Sequence, residues 1–142
     1  MPAPKLSHVH LKVNKLEGMA AFYQEVFDMN VTEDLGAFLF LSNDTAHHRL
    51  ALQESATGFN PSAQKLYHVA FEVEGESEFF AFAKRLDSLG IECHPVDHGI
   101  SWALYFADPE GNGLELFLDR RAAPGGSETW AGVSRRLVLP GT

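Results

Sequence analysis

The sequence predicts an α+β protein built from two copies of one βαβββ module in a single domain. With an offset of 60 residues, the interval from position 8 to position 68, residues 7–13 align with residues 67–73. The first strand of each copy alternates apolar and polar residues, and apolar residues at helical spacing follow it. Each first strand also has a histidine near its start. We therefore expect the modules to form a curved mixed sheet around a metal site that draws on both copies.

The first module, about residues 5–57, begins with a strand at 6–13 whose apolar and polar side chains alternate. Asn14 is predicted to cap the following helix, with Glu17 completing a capping box. The helix carries apolar residues at helical spacing: Leu16, Met19, Ala20, Tyr23, Val26 and Phe27. Short strands are then predicted at 30–34, 37–42 and 48–53.

The second module, about residues 65–120, follows a connector at 58–64 and repeats the pattern. Ser77 is the predicted cap of its helix, and Gly90 the residue that stops it. Its predicted segments are a strand at 66–73, a helix at 77–89, and strands at 91–96, 100–107 and 113–119. Residues 121–142 are rich in Gly and Pro, which predicts an irregular extension with a short ordered piece around 130–139.

Composition narrows the possible partners. The 142 residues are 45% hydrophobic and 21% charged, which is typical of a folded domain. A net charge of -8 argues against nucleic acid and anionic membranes as partners. The single Cys93 excludes an internal disulfide, and neither a leader peptide nor a membrane-spanning run is evident. We expect a soluble, cytoplasmic protein.

Three side chains are candidate metal ligands. Glu115 alternates with leucines in 113–118, and a carboxylate flanked by apolar residues is costly to desolvate unless it is paired or bound to a cation. His8 and His68 also lie opposite the apolar face of their strands. Two imidazoles and one carboxylate match the facial triad that leaves coordination positions open. Aligning 49–52 with 113–116 places Ala51 where a symmetric site would have a fourth ligand.

Each candidate also has a simpler interpretation. A lone strand histidine is more often hydrogen-bonded within the fold than bound to metal, and His10 is a rival to its neighbour at position 8. Its repeat partner is Ala70, which favours His8. His48 follows His47 and could belong to an ordinary loop. Two further polar residues, His98 and Tyr105, are candidates for the site. His98 precedes a glycine and could simply be a turn residue, and tyrosine is common in strands.

Several motifs resemble a known family. The strands of the form His-Val-x-Leu/Phe-x-Val, the helix segment 21–23 and the stretch from Asp108 to Glu115 are similar to the vicinal oxygen chelate superfamily. That superfamily includes glyoxalases, ring-cleaving dioxygenases and antibiotic-resistance proteins, and the likeness covers about residues 5–120. More narrowly, residues 47–52 and the pattern from Val96 to Glu115 resemble type I extradiol dioxygenases.

This resemblance implies a function and a site. It implies an Fe(II)-dependent extradiol dioxygenase of the catechol 2,3 type, acting on a catechol-type diol with O₂ in aromatic hydrocarbon catabolism. It assigns the metal, Fe(II) or Mn(II), to His8, His68 and Glu115. It assigns acid–base work to His48, and hydrogen bonds with substrate oxygens to His98 and Tyr105. It also implies a homo-oligomer, a dimer or larger. Candidate residues to pack the aromatic ring are Phe117, Trp102 and Phe38.

Two other functions stay open at this stage. A glyoxalase-type isomerase or lyase usually needs a fourth protein ligand, so Gln53 or Glu54 would have to replace Ala51 in that role. A non-catalytic resistance protein that binds a small molecule lacks the metal residues, and the intact triad argues against it. The 20-residue interval from His48 to His68 is longer than expected, which bears on substrate identity more than on the reaction.

Overall fold

The computed structural model describes residues 6, 9–46, 48–55, 66 and 68–141. The chain divides into two compact units, one comprising 1–65 with 108–111 and the other 66–107 with 112–142. Each unit has one helix and its own mixed sheet, so the predicted α+β class with two βαβββ modules is confirmed. The single curved sheet of the prediction is resolved into two sheets.

The first unit has a four-stranded sheet in the order β1-β4-β3-β2. β1 runs parallel to β4, whereas the other neighbours are antiparallel. The apolar face of the sheet forms a core with the helix, and Val13, Leu41 and Leu52 are fully buried. The elements are β1 Val9–Val13, α1 Leu16–Phe27, β2 Asn30–Asp34, β3 Phe38–Ser42 and β4 Leu50–Glu54.

The second unit repeats this order and adds a strand. Its five-stranded sheet has the order β5-β8-β7-β6-β9, in which the last strand comes from the C-terminal extension. Phe79 and Leu86 of the helix are fully buried, as is Leu104 of the sheet. The elements are β5 Val69–Val73, α2 Glu76–Ser88, β6 His94–Asp97, β7 Ser101–Ala107, β8 Gly113–Asp119 and β9 Arg135–Arg136.

The strand register reproduces the sequence repeat. Val9 pairs with Leu50 in the first unit, and Val69 pairs with Leu114 in the second. Ala51 and Glu115 consequently occupy the same place in the two sheets, one residue farther along the equivalent strands. The alignment that gave this pair from sequence therefore holds in three dimensions.

Neither predicted helix cap is present. α1 begins after Lys15, whose side chain makes no capping bond, so the capping box at Asn14 is wrong. Instead the backbone N–H groups of Asn14 and Lys15 donate to the two carboxylate oxygens of Glu110, the second at 2.9 Å. A carboxylate from a distant turn thus satisfies the exposed amides and opposes the positive end of the helix dipole.

α2 begins at Glu76 after Gly75, so Ser77 lies inside its first turn and does not cap it. The predicted stop at Gly90 is confirmed, since this residue has a φ of 70°. Its N–H donates to Asp87, and that of Ile91 donates to Leu86. These are the two bonds of a Schellman motif, which requires the left-handed conformation that glycine adopts readily.

A buried tyrosine and a buried aspartate pair within the first unit. The Tyr23 hydroxyl donates to Oδ2 of Asp108 at 3.0 Å, and the two residues are only 1% and 5% exposed. Burial, followed by the adjacent carboxylate, raises the pKa of Tyr23 well above its usual value. The turn at 108–111 was predicted only as a connection between strands, yet its two carboxylates hold the first helix.

Within the described part of the chain, no helix is long and apolar enough to cross a membrane.

Replacing Tyr23 by Phe removes the donor to Asp108 and should lower the free energy of unfolding by about 1–3 kcal/mol near neutral pH. Because burial raises the pKa of Tyr23 above 10.0, the unfolded chain loses this proton at lower pH than the folded chain does. Wild-type stability should hold below about pH 10 and fall above it, by up to about 1.4 kcal/mol per pH unit. Denaturant titrations of wild type and Y23F across this pH range measure the difference. If the free energy of unfolding depends on pH in the same way in both proteins, the assignment to Tyr23 is contradicted.

Candidate functional site

A half-buried histidine and a buried glutamate form a pair on the second sheet. Glu115 is 6% exposed and points away from the leucines that precede and follow it in β8. His68 lies immediately before β5, the parallel neighbour of β8. Its Nε2 lies 3.0 Å from Oε2 of Glu115. Parallel pairing of the two strands therefore brings together two of the three predicted metal ligands, and the imidazole compensates the carboxylate for its lost hydration.

The geometry of this pair suits a divalent cation. Two donor atoms bound to one cation at about 2.1 Å and at a right angle stand about 3.0 Å apart. Imidazole and carboxylate are also donors that iron and manganese accept. No cluster of three or more His, Cys, Asp or Glu side chains occurs among the described residues. The third predicted ligand, His8, lies outside them.

Two further candidates adjoin the pair. Tyr105 of β7 stands directly opposite Glu115 of β8, so the two side chains share a sheet face. The Tyr105 ring centroid is 5.8 Å from that of His68. Its hydroxyl lies 2.8 Å from Nε2 of His98, which reaches in from the turn after β6. Four of the six predicted site residues thus form a continuous series within the second unit.

The equivalent region of the first unit has a different character. Ala51 is 2% exposed and pairs with Phe40 and His10. The half-buried His48 ring lies 4.8 Å from the Phe40 ring. His10, the rival ligand, is exposed and meets Phe38 edge-on at 6.0 Å. A methyl group occupies the position of Glu115, so this sheet presents aromatic surface there.

Trp102, one of the three residues predicted to pack the aromatic ring, lies on the sheet face opposite Glu115. Trp102 packs against α2, with its ring 5.9 Å from that of Phe79. The guanidinium of Arg120 covers it at 4.0 Å. The strand period of two directs this side chain away from Tyr105. Phe117, which pairs with Ala103, does share the face of Glu115.

The contacts that surround His98 were not predicted from the sequence. Nδ1 of His98 lies 3.0 Å from the carbonyl oxygen of Val133 and 3.1 Å from Oγ of Ser134. The rings of His98 and Trp130 meet edge-on at 6.2 Å. All three partners lie in the C-terminal extension, within the short ordered piece predicted around 130–139, which also contains β9. The one signal available was a tryptophan placed among glycines, prolines and polar residues.

Comparison with known proteins agrees with this fold. The sequence profile of the Glyoxalase/Bleomycin resistance protein/Dioxygenase superfamily matches residues 5–116. Biphenyl-2,3-diol 1,2-dioxygenase 2 of Rhodococcus globerulus is 34% identical over 85% of this chain. The chain spans 66% of the length of that relative, just under two thirds.

Other relatives have different activities. The glutathione transferase FosA of Serratia marcescens is 25% identical over 83% of each chain. A crystal structure of a glyoxylase/bleomycin resistance protein/dioxygenase domain from Frankia sp. EAN1pec has a TM-score of 0.71 and 25% identity. It matches 85% of this chain and 96% of its own. With its duplicated module and a family profile over most of its length, the chain belongs to the Glyoxalase/Bleomycin resistance protein/Dioxygenase superfamily.

Proposed function

We propose that this protein is a metal-dependent extradiol dioxygenase that cleaves the ring of a catechol-type diol with O₂. The observation that carries the proposal is the contact between His68 and the buried Glu115, beside the hydrogen-bonded Tyr105 and His98. His8 would complete the ligand set for Fe(II), or for Mn(II) in its place. The dioxygenase relative at 34% identity supports the same class of reaction.

The metal and the side chains would have separate tasks. Bound by two imidazoles and one carboxylate, Fe(II) would supply reactivity toward O₂, which amino-acid side chains lack. Tyr105 would hydrogen-bond a diol oxygen and orient the ring. His98, whose two ring nitrogens face Val133 and Tyr105, would act by holding the Tyr105 hydroxyl. Holding the reactants in a defined geometry lowers the entropic part of the barrier. Phe117, on the same face as Glu115, is a candidate surface for the ring.

His48 is the proposed acid–base residue. An imidazole changes its protonation near neutral pH, so it can take a proton from a substrate hydroxyl and return it at a later step. The His48 ring is half-buried and packs beside Phe40, which holds it while leaving part of it accessible.

A glyoxalase-type isomerase or lyase is the alternative, and the relative named as a glutathione transferase favours considering it. The buried Ala51 argues against it, because a methyl group cannot supply the fourth ligand that such enzymes usually have. Gln53 lies two residues farther along β4, opposite Phe38, and would have to take over that role.

Metal binding can be tested by calorimetry and thermal unfolding. Saturating Mn(II), at about 100 times the dissociation constant, should stabilise wild type by about 2.7 kcal/mol. Glu115→Gln should abolish most of this gain, because it removes a buried anionic ligand. Glu72→Gln is the matched control, since Glu72 is exposed and pairs with Phe117, two residues beyond Glu115 in β8. Equal stabilisation of wild type and E115Q would refute the assigned ligand.

Activity can be tested on protein purified without oxygen and loaded with Fe(II). Catechol and biphenyl-2,3-diol should each be offered, and a yellow ring-opened product is expected with at least one. His48→Ala should retain its iron yet lose about 100-fold or more in turnover. The control His94→Ala alters a histidine whose side chain is 71% exposed. Full activity of H48A would remove its role, whereas tight nickel or zinc and no colour would favour the isomerase.

A further inference from the structure

The C-terminal extension lies against the turn that carries His98. We call residues 127–136 the tail segment. The N–H of Ser127 donates to the carbonyl of Gly99 at 3.0 Å. At the other end β9 pairs with β6, where Arg135 faces Asp97. The His98 turn is therefore held from both sides by the tail segment.

The tail segment also determines which nitrogen of His98 carries the proton. Nδ1 faces the carbonyl oxygen of Val133 at 3.0 Å and the hydroxyl oxygen of Ser134 at 3.1 Å. The hydroxyl can donate or accept, but the carbonyl can only accept, so the contact with Val133 decides between the tautomers. Nδ1 must therefore carry a hydrogen, which in the neutral ring leaves a lone pair on Nε2. The Tyr105 hydroxyl, 2.8 Å away, then donates to Nε2. With its proton used in this way, the phenolic oxygen is left as an acceptor.

The carbonyl that selects this tautomer is itself held in place. The indole N–H of Trp130 donates to the Val133 oxygen at 2.6 Å, and the Val133 N–H donates back to the Trp130 carbonyl at 3.0 Å. Between them, Ala131 and Gly132 have φ of 49° and 77°, the pattern of a type I′ turn. The left-handed conformation is unfavourable for alanine, so the surrounding contacts must maintain this turn.

A second anchor lies at the base of the tail segment. A Cβ added to Gly126 would fall 1.6 Å from the carbonyl oxygen of Arg120, which is closer than a real Cβ atom approaches another atom. Arg120 donates to the Pro124 carbonyl at 3.0 Å, and its guanidinium lies against Trp102. The course of the tail therefore depends on a close backbone approach at Gly126.

We propose that the tail segment is a positioning element of the candidate site. It holds His98 as the Nδ1–H tautomer, so that the Tyr105 hydroxyl donates to His98 and offers its oxygen to a hydroxyl of the substrate. The tautomer of His98 and its cause are inferred from the hydrogen-bond geometry alone. The part concerning substrate rests on the proposed function.

The tautomer can be measured by NMR on the full-length protein with ¹⁵N-labelled histidine, under conditions in which His98 is neutral. The ¹⁵N shifts should report a protonated Nδ1 and an unprotonated Nε2. Trp130→Phe keeps a ring but removes the indole N–H, and Gly126→Ala displaces the tail from a distance. Both should convert His98 to a mixture of tautomers. The control Val138→Ala changes a residue that is 73% exposed on the same extension and should leave the shifts unaltered.

A protonated Nε2 in wild type, or unchanged shifts in both variants, would overturn the proposal. The kinetic consequence is measured separately on iron-loaded protein. W130F and G126A should lose about 10-fold in kcat with iron content unchanged and KM within about twofold, as expected when an outer partner is lost. Undiminished kcat in a variant whose tautomer has changed would refute the catalytic part. If wild type cleaves no diol, the proposed function fails, while the NMR result still decides the tautomer.

Discussion

The candidate site depends on one electrostatic constraint, which is that a carboxylate buried on a sheet must have a partner. Glu115 sits in a strand whose alternate residues belong to the core, so its backbone position is determined by packing rather than by its own charge. The parallel pairing of β5 with β8 then delivers His68 to within 3.0 Å. Hydrophobic burial on one face of the sheet thus places a pair of candidate metal ligands on the other.

The rest of the series follows from strand register and from the tail. Tyr105 reaches the pair because β7 and β8 are antiparallel neighbours with those two residues directly opposed. His98 is outside the strands and has no such constraint. Its position comes from hydrogen bonds to Tyr105 and to the Val133 carbonyl. Sheet positions therefore hold the candidate ligands His68 and Glu115, while the turn after β6 provides the hydrogen bond between His98 and Tyr105.

The sequence contained most of the fold because its signals are local and repeated. The period of two and the 60-residue offset predicted the modules, and the equivalence of Ala51 with Glu115 holds in the strand register. The same signals predicted the faces of Glu115 and Tyr105. They could not predict the helix cap at Lys15, because its acceptor, Glu110, lies 95 residues away. In the first helix, the local preference for Asn at a cap was overridden by that tertiary contact.

The course of the C-terminal extension and the face of Trp102 were not predicted, for a related reason. Glycine and proline indicate a break in regular structure but not where the chain goes next, and here the course depends on a close approach between Gly126 and the Arg120 carbonyl. Trp102 was misplaced because its strand is apolar on both faces, so hydrophobicity alone does not assign a side. The position of His8 is a prediction that the described residues leave untested.

The link between Glu110 and the start of the first helix has a consequence for how the protein is made. The first unit is discontinuous in sequence, and the amides of Asn14 and Lys15 and the buried Tyr23 hydroxyl find acceptors in its segment at 108–111. During synthesis, the N-terminal half leaves the ribosome long before those carboxylates exist. It must wait incompletely stabilised until the later half emerges, so maturation of the earlier module is tied to translation of the second.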